Sequence, residues 1–464
     1  MGRGIKGLIL AGILISALLL RLKGINNPLL DDQAWRQADT AAMATYMSGQ
    51  LTDFPEVFFP HLSYDGVVPQ KVELEFPFLP YLLAWTWSVL GWADVWGRLW
   101  SVIFSVLTVW GIYDLTARIF SGRVALLAAA VYAVMPLSVY YGRVVMPEPV
   151  AQFFSIWALD LLWRWRSAPK LGKLLGAGLL LAAAILAKLP QLMLFPVALF
   201  LGFWPWRRSG LRSMMIYSLL ALFLPVVYYT WVHFGSENNS QFVSGIFSGQ
   251  VVQAKAFFWD ELRKNLSGSG FSFLVILITS AGGLRLVFSP SLARSGLVVW
   301  LLACFLYVVI VCSRIPLDYY LLPVMPLAAI LCALAFDFIS DIPGTVGGMI
   351  FVCLLCFYTV QILPPKYVCD HSYLIQAEWI KQNTPLRSSI VLSDHPPMTF
   401  YYAGRVGFRL TEADDQKALA QLEALPAQYF VRLPKSERTP QFWQTIAADY
   451  PEIGPGVYLL GNIP

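Results

Sequence analysis

The string Leu30-Asp31-Asp32-Gln33-Ala34-Trp35-Arg36-Gln37-Ala38-Asp39-Thr40 gathers three carboxylates and a guanidinium in one short stretch. A carboxylate placed this way can act as a general base or bind a metal. A cation beside it can hold an anionic leaving group such as phosphate. Taken as a helix starting near Asp32, the string puts Asp32, Arg36 and Asp39 at i, i+4 and i+7, along one face. Trp35, Ala38 and Ala42 then form the other face, suited to lipid or neighbouring spans. The simpler alternative is that Asp31 or Asp32 caps the helix and Arg36 makes a surface ion pair. A cap needs only one carboxylate, so the second stays available.

A second segment, Tyr140-Tyr141-Gly142-Arg143-Val144-Val145-Met146-Pro147-Glu148-Pro149, sets a Glu between two prolines, shortly after an Arg. Pro in the first turn with Glu complementing the dipole would make this a plain helix start. Arg143 and Glu148 also fall near membrane level, however, where ionisable groups are costly. Glu73 and Glu75 ahead of Pro77, Lys188 in Ala187-Lys188-Leu189-Pro190, and Arg314 with Asp318 ahead of Tyr319-Tyr320 are weaker signals. Each taken alone reads as snorkelling or a local ion pair.

The elements that must position these residues are membrane helices. The chain has 464 residues, 57% hydrophobic and 13% charged, with mean hydropathy +0.61. That is about half the charge of a soluble protein, and the apolar runs have membrane-spanning length. A net charge of +5 without a basic run interleaved with aromatics argues against nucleic-acid binding. Five of the six cysteines lie in or beside apolar runs and read as small hydrophobes. Cys353-x-x-Cys356 is included, as core packing within a span. Cys369 is the single cysteine of the polar tail, so a disulfide framework is not expected.

Charge orients the spans. The run 7–20, flanked by Arg3, Lys6, Arg21 and Lys23, reads as an uncleaved signal anchor with a cytoplasmic N-terminus. Counting the run at 77–92, twelve apolar runs are present. The short linkers carrying Arg118 and Arg123, Arg164 to Lys173, Arg207 to Arg212, and Arg285 and Arg294 all fall inside only if one early run does not cross. The run 77–92, with Pro77, Pro80, Trp85, Trp87 and Trp92, suits the interface better than a crossing. Eleven spans are therefore expected in a transmembrane domain of residues 1–363, with 23–97 as one external loop carrying juxtamembrane helices. Most acidic residues before 364 then lie outside, a skew the rule did not impose. Residues 364–464 alternate helical and strand-like stretches and are expected to form a small extracytoplasmic α/β domain. The strand-like stretches are 389–392, 428–433 and 456–460.

At these residues the chain resembles the bacterial members of the protein mannosyltransferase and aminoarabinose transferase superfamily, the GT-C glycosyltransferases. The resemblance rests on the Asp-Asp-x-x-Trp-Arg-Gln-x-Asp-Thr string, on Arg143…Pro147-Glu148, and on Tyr319-Tyr320-Leu-Leu-Pro323-x-x-Pro326. It covers about residues 1–335. It implies an inverting transfer from a polyprenyl-phosphate sugar to a glycolipid, polysaccharide or protein hydroxyl at the outer face of the bacterial inner membrane. By that resemblance Asp31 is the base and Asp32 replaces the family's usual Glu. Arg36 and Arg143, then Lys188 and Arg314, would meet the leaving phosphate. Glu148 matches a second acidic site, and Glu75 an acidic residue before a Pro-rich helix. Phe76-Pro77-Phe78 stands where related chains show Lys-Pro-Pro, which leaves a phosphate-binding lysine unassigned. A divalent cation, held by Asp31 and Glu148 if present, is left open because not all members need one. The competing readings are a transporter or lipid flippase, which would need ionisable groups near the midplane of several spans, and a lipid-diphosphate-dependent O-antigen polymerase or ligase.

Overall fold

The computed structural model describes residues 3–205, 208–236, 263, 272–287, 292–312, 315, 317–339 and 341–461. The chain divides into two compact units. One comprises Met1–Ile25, Val95–Trp231 and Phe242–Lys366; the other comprises Asn26–Asp94, Val232–Gln241 and Tyr367–Pro464.

The first unit is helical. It contains α1 (Arg3–Leu22), nearly all of α4 (Asp94–Ile119), α5 (Gly122–Val134), α6 (Pro136–Tyr141), α7 (Glu148–Ser167), α8 (Leu171–Ala187) and α9 (Leu194–Phe203). Most of α10 (Arg208–Gly235) follows, then Ser272–Val287 as α11, Leu292–Tyr307 as α12, Met325–Asp337 as α13 and Asp341–Ile362 as α14. Among the described residues six helices are long and apolar enough to cross a membrane: Gly4–Leu22, Asp94–Ile119, Gly210–Gly235, Ser295–Cys312, Asp318–Asp337 and Ile342–Ile362.

Several breaks between helices are written locally. Ser121 caps α5, its side chain accepting from Val124 N–H. Met135 is extended before Pro136, which opens α6 at a first-turn position where no amide hydrogen is needed. Near the C-termini of α4 and α7, Arg118 pairs with Asp160 at 3.1 Å and with Asp114 at 3.0 Å, and Arg164 pairs with Asp160 at 2.6 Å and with Asp114. Arg123 reaches Asp337 at 2.7 Å. Cations at helix C-termini also complement the dipole. Arg21, expected as a solvent-side flank of the first span, is instead fully buried. It donates to Ser105 Oγ and Ser138 Oγ at 2.7 Å and to the Ala17 and Ala133 carbonyls at 3.0 Å. A Cβ on Gly142 would lie 2.5 Å from the Arg21 Nε, so only glycine fits at that turn. No disulfide joins the described cysteines, and Cys353 is exposed rather than packed inside.

The second unit joins an early segment to the tail. It contains α2 (Ala34–Ser48), the hairpin strands β1 (His61–Leu62) and β2 (Gln70–Lys71), and α3 (Phe78–Leu90). The tail contributes α15 (Ser372–Asn383), β3 (Ser389–Leu392), α16 (Met398–Ala403), β4 (Val406–Arg409), α17 (Asp415–Ala424) and β5 (Tyr429–Val431). It ends with α18 (Pro440–Asp449), β6 (Glu452–Gly454) and β7 (Val457–Leu459). The sheet order is β4-β3-β5-β7-β6, with β3 parallel to β4 and β5, and β7 antiparallel to β5 and β6. Asp414 and Thr439 cap α17 and α18, whose apolar faces bury Leu422, Phe442, Trp443 and Ile446 against Val391, Phe430 and Tyr458 of the sheet. The short β4 and β6, which flank it, were not legible from periodicity.

Gly407 on β4 connects tail to loop. Its N–H donates to the Ser63 carbonyl at 3.2 Å, and its own carbonyl accepts from Gly66 N–H at 3.0 Å. A Cβ there would sit 1.8 Å from the Ile390 carbonyl oxygen, so the strand approach requires glycine.

Candidate active site

In the second unit α2 starts at Ala34, not near Asp32. Gln33 takes a left-handed turn (φ 61°), and no described side chain caps the helix. Asp31 and Asp32 therefore lie in the preceding turn, which leaves both carboxylates off the cap position. Asp31 is buried, and its Oδ1 accepts from Gln37 Nε2 at 2.6 Å; the same amide donates to the Asp32 carbonyl at 3.0 Å. Gln37, fully buried one turn into α2, thus fixes the carboxylate's orientation. Arg36 pairs with Glu75, which is also buried. Beyond Glu75, Phe76 packs on Phe58 and Phe78, with ring centroids 4.7 and 4.5 Å apart. Aromatic packing fills the stretch where a lysine was sought.

Asp39, one turn beyond Arg36, accepts from the Tyr64 hydroxyl at 3.2 Å. Arg409 of β4 lies 3.7 Å from the Tyr64 ring centroid and 5.6 Å from that of Trp35, and pairs with Asp65 at 2.6 Å. Burial pushes the Asp39 carboxyl up to about 7, against the pull of the Arg36 and Arg409 charges. The same burial drives the Tyr64 phenol well above its usual value. Trp35, expected to face lipid or spans, instead stacks on His395 at 6.2 Å. Its partners come from the far end of the sequence, where no local pattern could announce them.

In the first unit the cations gather on tyrosines. Arg143 is fully buried; its Nη1 donates to the Gly24 carbonyl at 2.9 Å, and its guanidinium lies 5.1 Å from the Tyr140 ring centroid. Lys188, in the break after α8, pairs with Glu148 at 3.0 Å. It lies 5.6 and 5.7 Å from the ring centroids of Tyr319 and Tyr320, which stack on each other at 4.8 Å. Asp318 accepts from Tyr141 OH at 2.6 Å and from Lys366 Nζ at 2.7 Å. Lys366 in turn lies 5.3 and 5.6 Å from the rings of Tyr140 and Tyr141. Ion–aromatic contacts of this kind hold charge in low dielectric with little water.

The structure therefore brings Asp31, Asp32, Arg36, Asp39 and Glu75 together in one unit, and Arg143, Glu148, Lys188, Tyr319 and Tyr320 together in the other. Arg314 lies outside the described residues. Sequence reasoning missed Lys366, Arg409 and Tyr64. The signal for Lys366 was present as Pro364-Pro365-Lys366 directly after the last apolar run; nothing local marked the other two. Among the described residues no group of three or more ligand-type side chains could hold a metal ion.

Residues 74–233 match the family model described as dolichyl-phosphate-mannose-protein mannosyltransferase. No curated protein matches the chain in sequence. Among solved structures, ArnT from Cupriavidus metallidurans bound to undecaprenyl phosphate superposes with a TM-score of 0.68 at 14% identity, covering 97% of this chain and 95% of that one. The chain shares the fold of ArnT. An oligosaccharyltransferase from Archaeoglobus fulgidus, AglB, in complex with an inhibitory peptide and a dolichol-phosphate, matches at TM-score 0.59 and 15% identity over 91% of this chain and 69% of its own. The mycobacterial arabinofuranosyltransferase AftD matches at TM-score 0.59 and 14% identity over 93% of this chain and 37% of its own. The likeness to these structures is one of fold, and with ArnT it extends over nearly the whole chain.

Proposed function

We propose that the chain is a multi-pass glycosyltransferase of the bacterial plasma membrane. It moves a sugar from a polyprenyl-phosphate donor to a hydroxyl acceptor on the extracytoplasmic face, with inversion at C1. The observation that carries this reading is the buried Asp31 carboxylate oriented by the Gln37 amide, in a chain of ArnT-like fold. Asp31 takes the proton of the acceptor hydroxyl as its oxygen bonds to C1. The C1–O bond to phosphate breaks, and polyprenyl phosphate departs with the electron pair. By the resemblance, Arg36 in the same unit is assigned to that negative charge, and Arg143 and Lys188 are the further candidates. Gln37 positions the Asp31 carboxylate, and Glu148 holds Lys188.

The proposal carries eleven spans: α1, α4, α5 with α6, and α7 to α14. The short helix α3 belongs to the second unit, which supports leaving it out of the count. A transporter would keep ionisable groups at midspan, whereas Asp114 and Asp337 lie towards helix ends and Asp160, further in, is paired with Arg118 and Arg164. The test is transfer from a labelled polyprenyl-phosphate sugar by Asp31→Asn. We expect turnover to fall by about 10²–10⁴-fold with membrane insertion and donor binding kept; full activity would remove Asp31 as the base.

A further inference from the structure

The second unit holds a groove that the chemistry above does not use. Its larger chamber, about 820 Å³, is bounded by Asn26 and Pro28 on one side and by Trp92, Asp94, Trp379 and Tyr402 on others. A smaller chamber, about 360 Å³, lies against Gln376 and Arg432. Ile375 and Pro455 border both, so the two run together along α15. These volumes are those of small-molecule sites, which pair aromatic walls with a few placed polar groups.

The lining chemistry selects the ligand. Trp92 is 56% exposed, and with Trp379 and Tyr402 it lines the larger chamber with aromatic surface of the kind that the apolar C–H faces of a pyranose pack against. Asp94, which accepts from Tyr401 and Tyr402, and Glu378, which accepts from Gln382, keep further lone pairs that can accept from hydroxyls. Gln376 is 5% exposed; its Nε2 donates to the Arg432 and Pro455 carbonyls at 2.7 and 3.1 Å. Its Oε1 has no hydrogen-bond partner among the described residues, so a buried acceptor there stays unspent. Over both chambers the carboxylates of Asp94 and Glu378 are balanced by Lys381 and Arg432, which gives no net attraction for a phosphorylated ligand and suits an uncharged one.

The groove is also connected to the turn that carries the proposed base. Tyr402 OH donates to Asp94 at 2.8 Å and accepts from Leu29 N–H at 2.6 Å. Leu29 stands two residues before Asp31. We propose that this groove binds the acceptor, and that the acceptor is an uncharged oligosaccharide. The assignment rests on the glycosyltransferase reading above.

The test uses the full chain in detergent micelles. The probe is cell-envelope polysaccharide of the producing strain, cut to oligosaccharides and freed of phosphate and acyl groups. Binding is read by ligand-observed NMR, and transfer from a labelled polyprenyl-phosphate sugar gives separate KM values for donor and acceptor. Trp92→Ala and Glu378→Gln alter exposed side chains, and Trp379→Ala removes the inner platform. We expect each tryptophan variant to weaken probe binding and raise acceptor KM about tenfold, with donor KM unchanged. Unchanged acceptor KM in all three overturns the groove assignment, as does binding seen only with phosphorylated oligosaccharide or with a Ser/Thr peptide. Wild-type protein that binds the probe through these residues but turns over no polyprenyl-phosphate sugar keeps the groove and removes the transferase reading. Turnover that ignores all three variants does the reverse.

Discussion

Replacing Asp39 by Asn tests whether a buried carboxyl sets the pH response of the second unit. Asp39 titrates near 7 in the folded chain against a normal value of 3.8, chiefly because burial disfavours its charged form. Below about pH 4 the group is protonated whether the chain is folded or not, and contributes nothing to stability. Between about 4 and 7 the unfolded chain releases the proton while the folded chain keeps it. Stability therefore falls as pH rises through that window and levels off above it. A displacement of about three pH units corresponds to at most about 4 kcal/mol. Asp39→Asn removes this titration, so it should match the wild type near pH 4 and be more stable by a few kcal/mol above pH 7. Thermal unfolding of both proteins across pH 4–8, with difference infrared spectroscopy of the carboxylic-acid carbonyl band, reads it directly. Parallel stability profiles, or no carboxylic acid titrating near 7 that the substitution abolishes, would refute the reasoning.

Two further outcomes follow from individual contacts. Gly407→Ala would drive a methyl group into the Ile390 carbonyl; about 1–3 kcal/mol should be lost, seen as a lower melting temperature and faster proteolysis of the tail, and an unchanged melt would contradict the packing. Lys366→Met leaves Asp318 without its lysine, so it should destabilise the first unit, and adding Asp318→Asn should restore some of the loss. A double-mutant cycle in thermal unfolding should give about 1–3 kcal/mol of coupling, and strict additivity would show that the pair does not interact.

The acidic turn, the Arg143 to Glu148 segment and the tyrosines at 319 and 320 were legible because membrane sequences carry so little charge that each ionisable residue stands out. Gln37 was counted in the motif string but given no role of its own, yet it holds Asp31. Its role depends on Gln33 turning left-handed, a backbone choice that composition does not announce. Arg21 was assigned to topology alone, since a cation at the end of an apolar run ordinarily flanks it. Its serine and carbonyl partners come from α4, α5 and α6.

By itself the sequence marked this as a membrane protein, showed where its apolar runs lie, and singled out the ionisable side chains proposed to transfer a group. Those properties are local: they depend on residue type and spacing along one stretch of chain. Only the tertiary structure decided that Arg409 of the tail comes to lie over Tyr64 and beside Asp39, that Lys366 joins Asp318, and that His395 stacks on Trp35. It also decided that Asn26–Asp94 packs as one unit with the tail. Those pairings join residues tens to hundreds of positions apart. Burial then sets what each charge does, because removing water raises the cost of an ionised group and the worth of its partner.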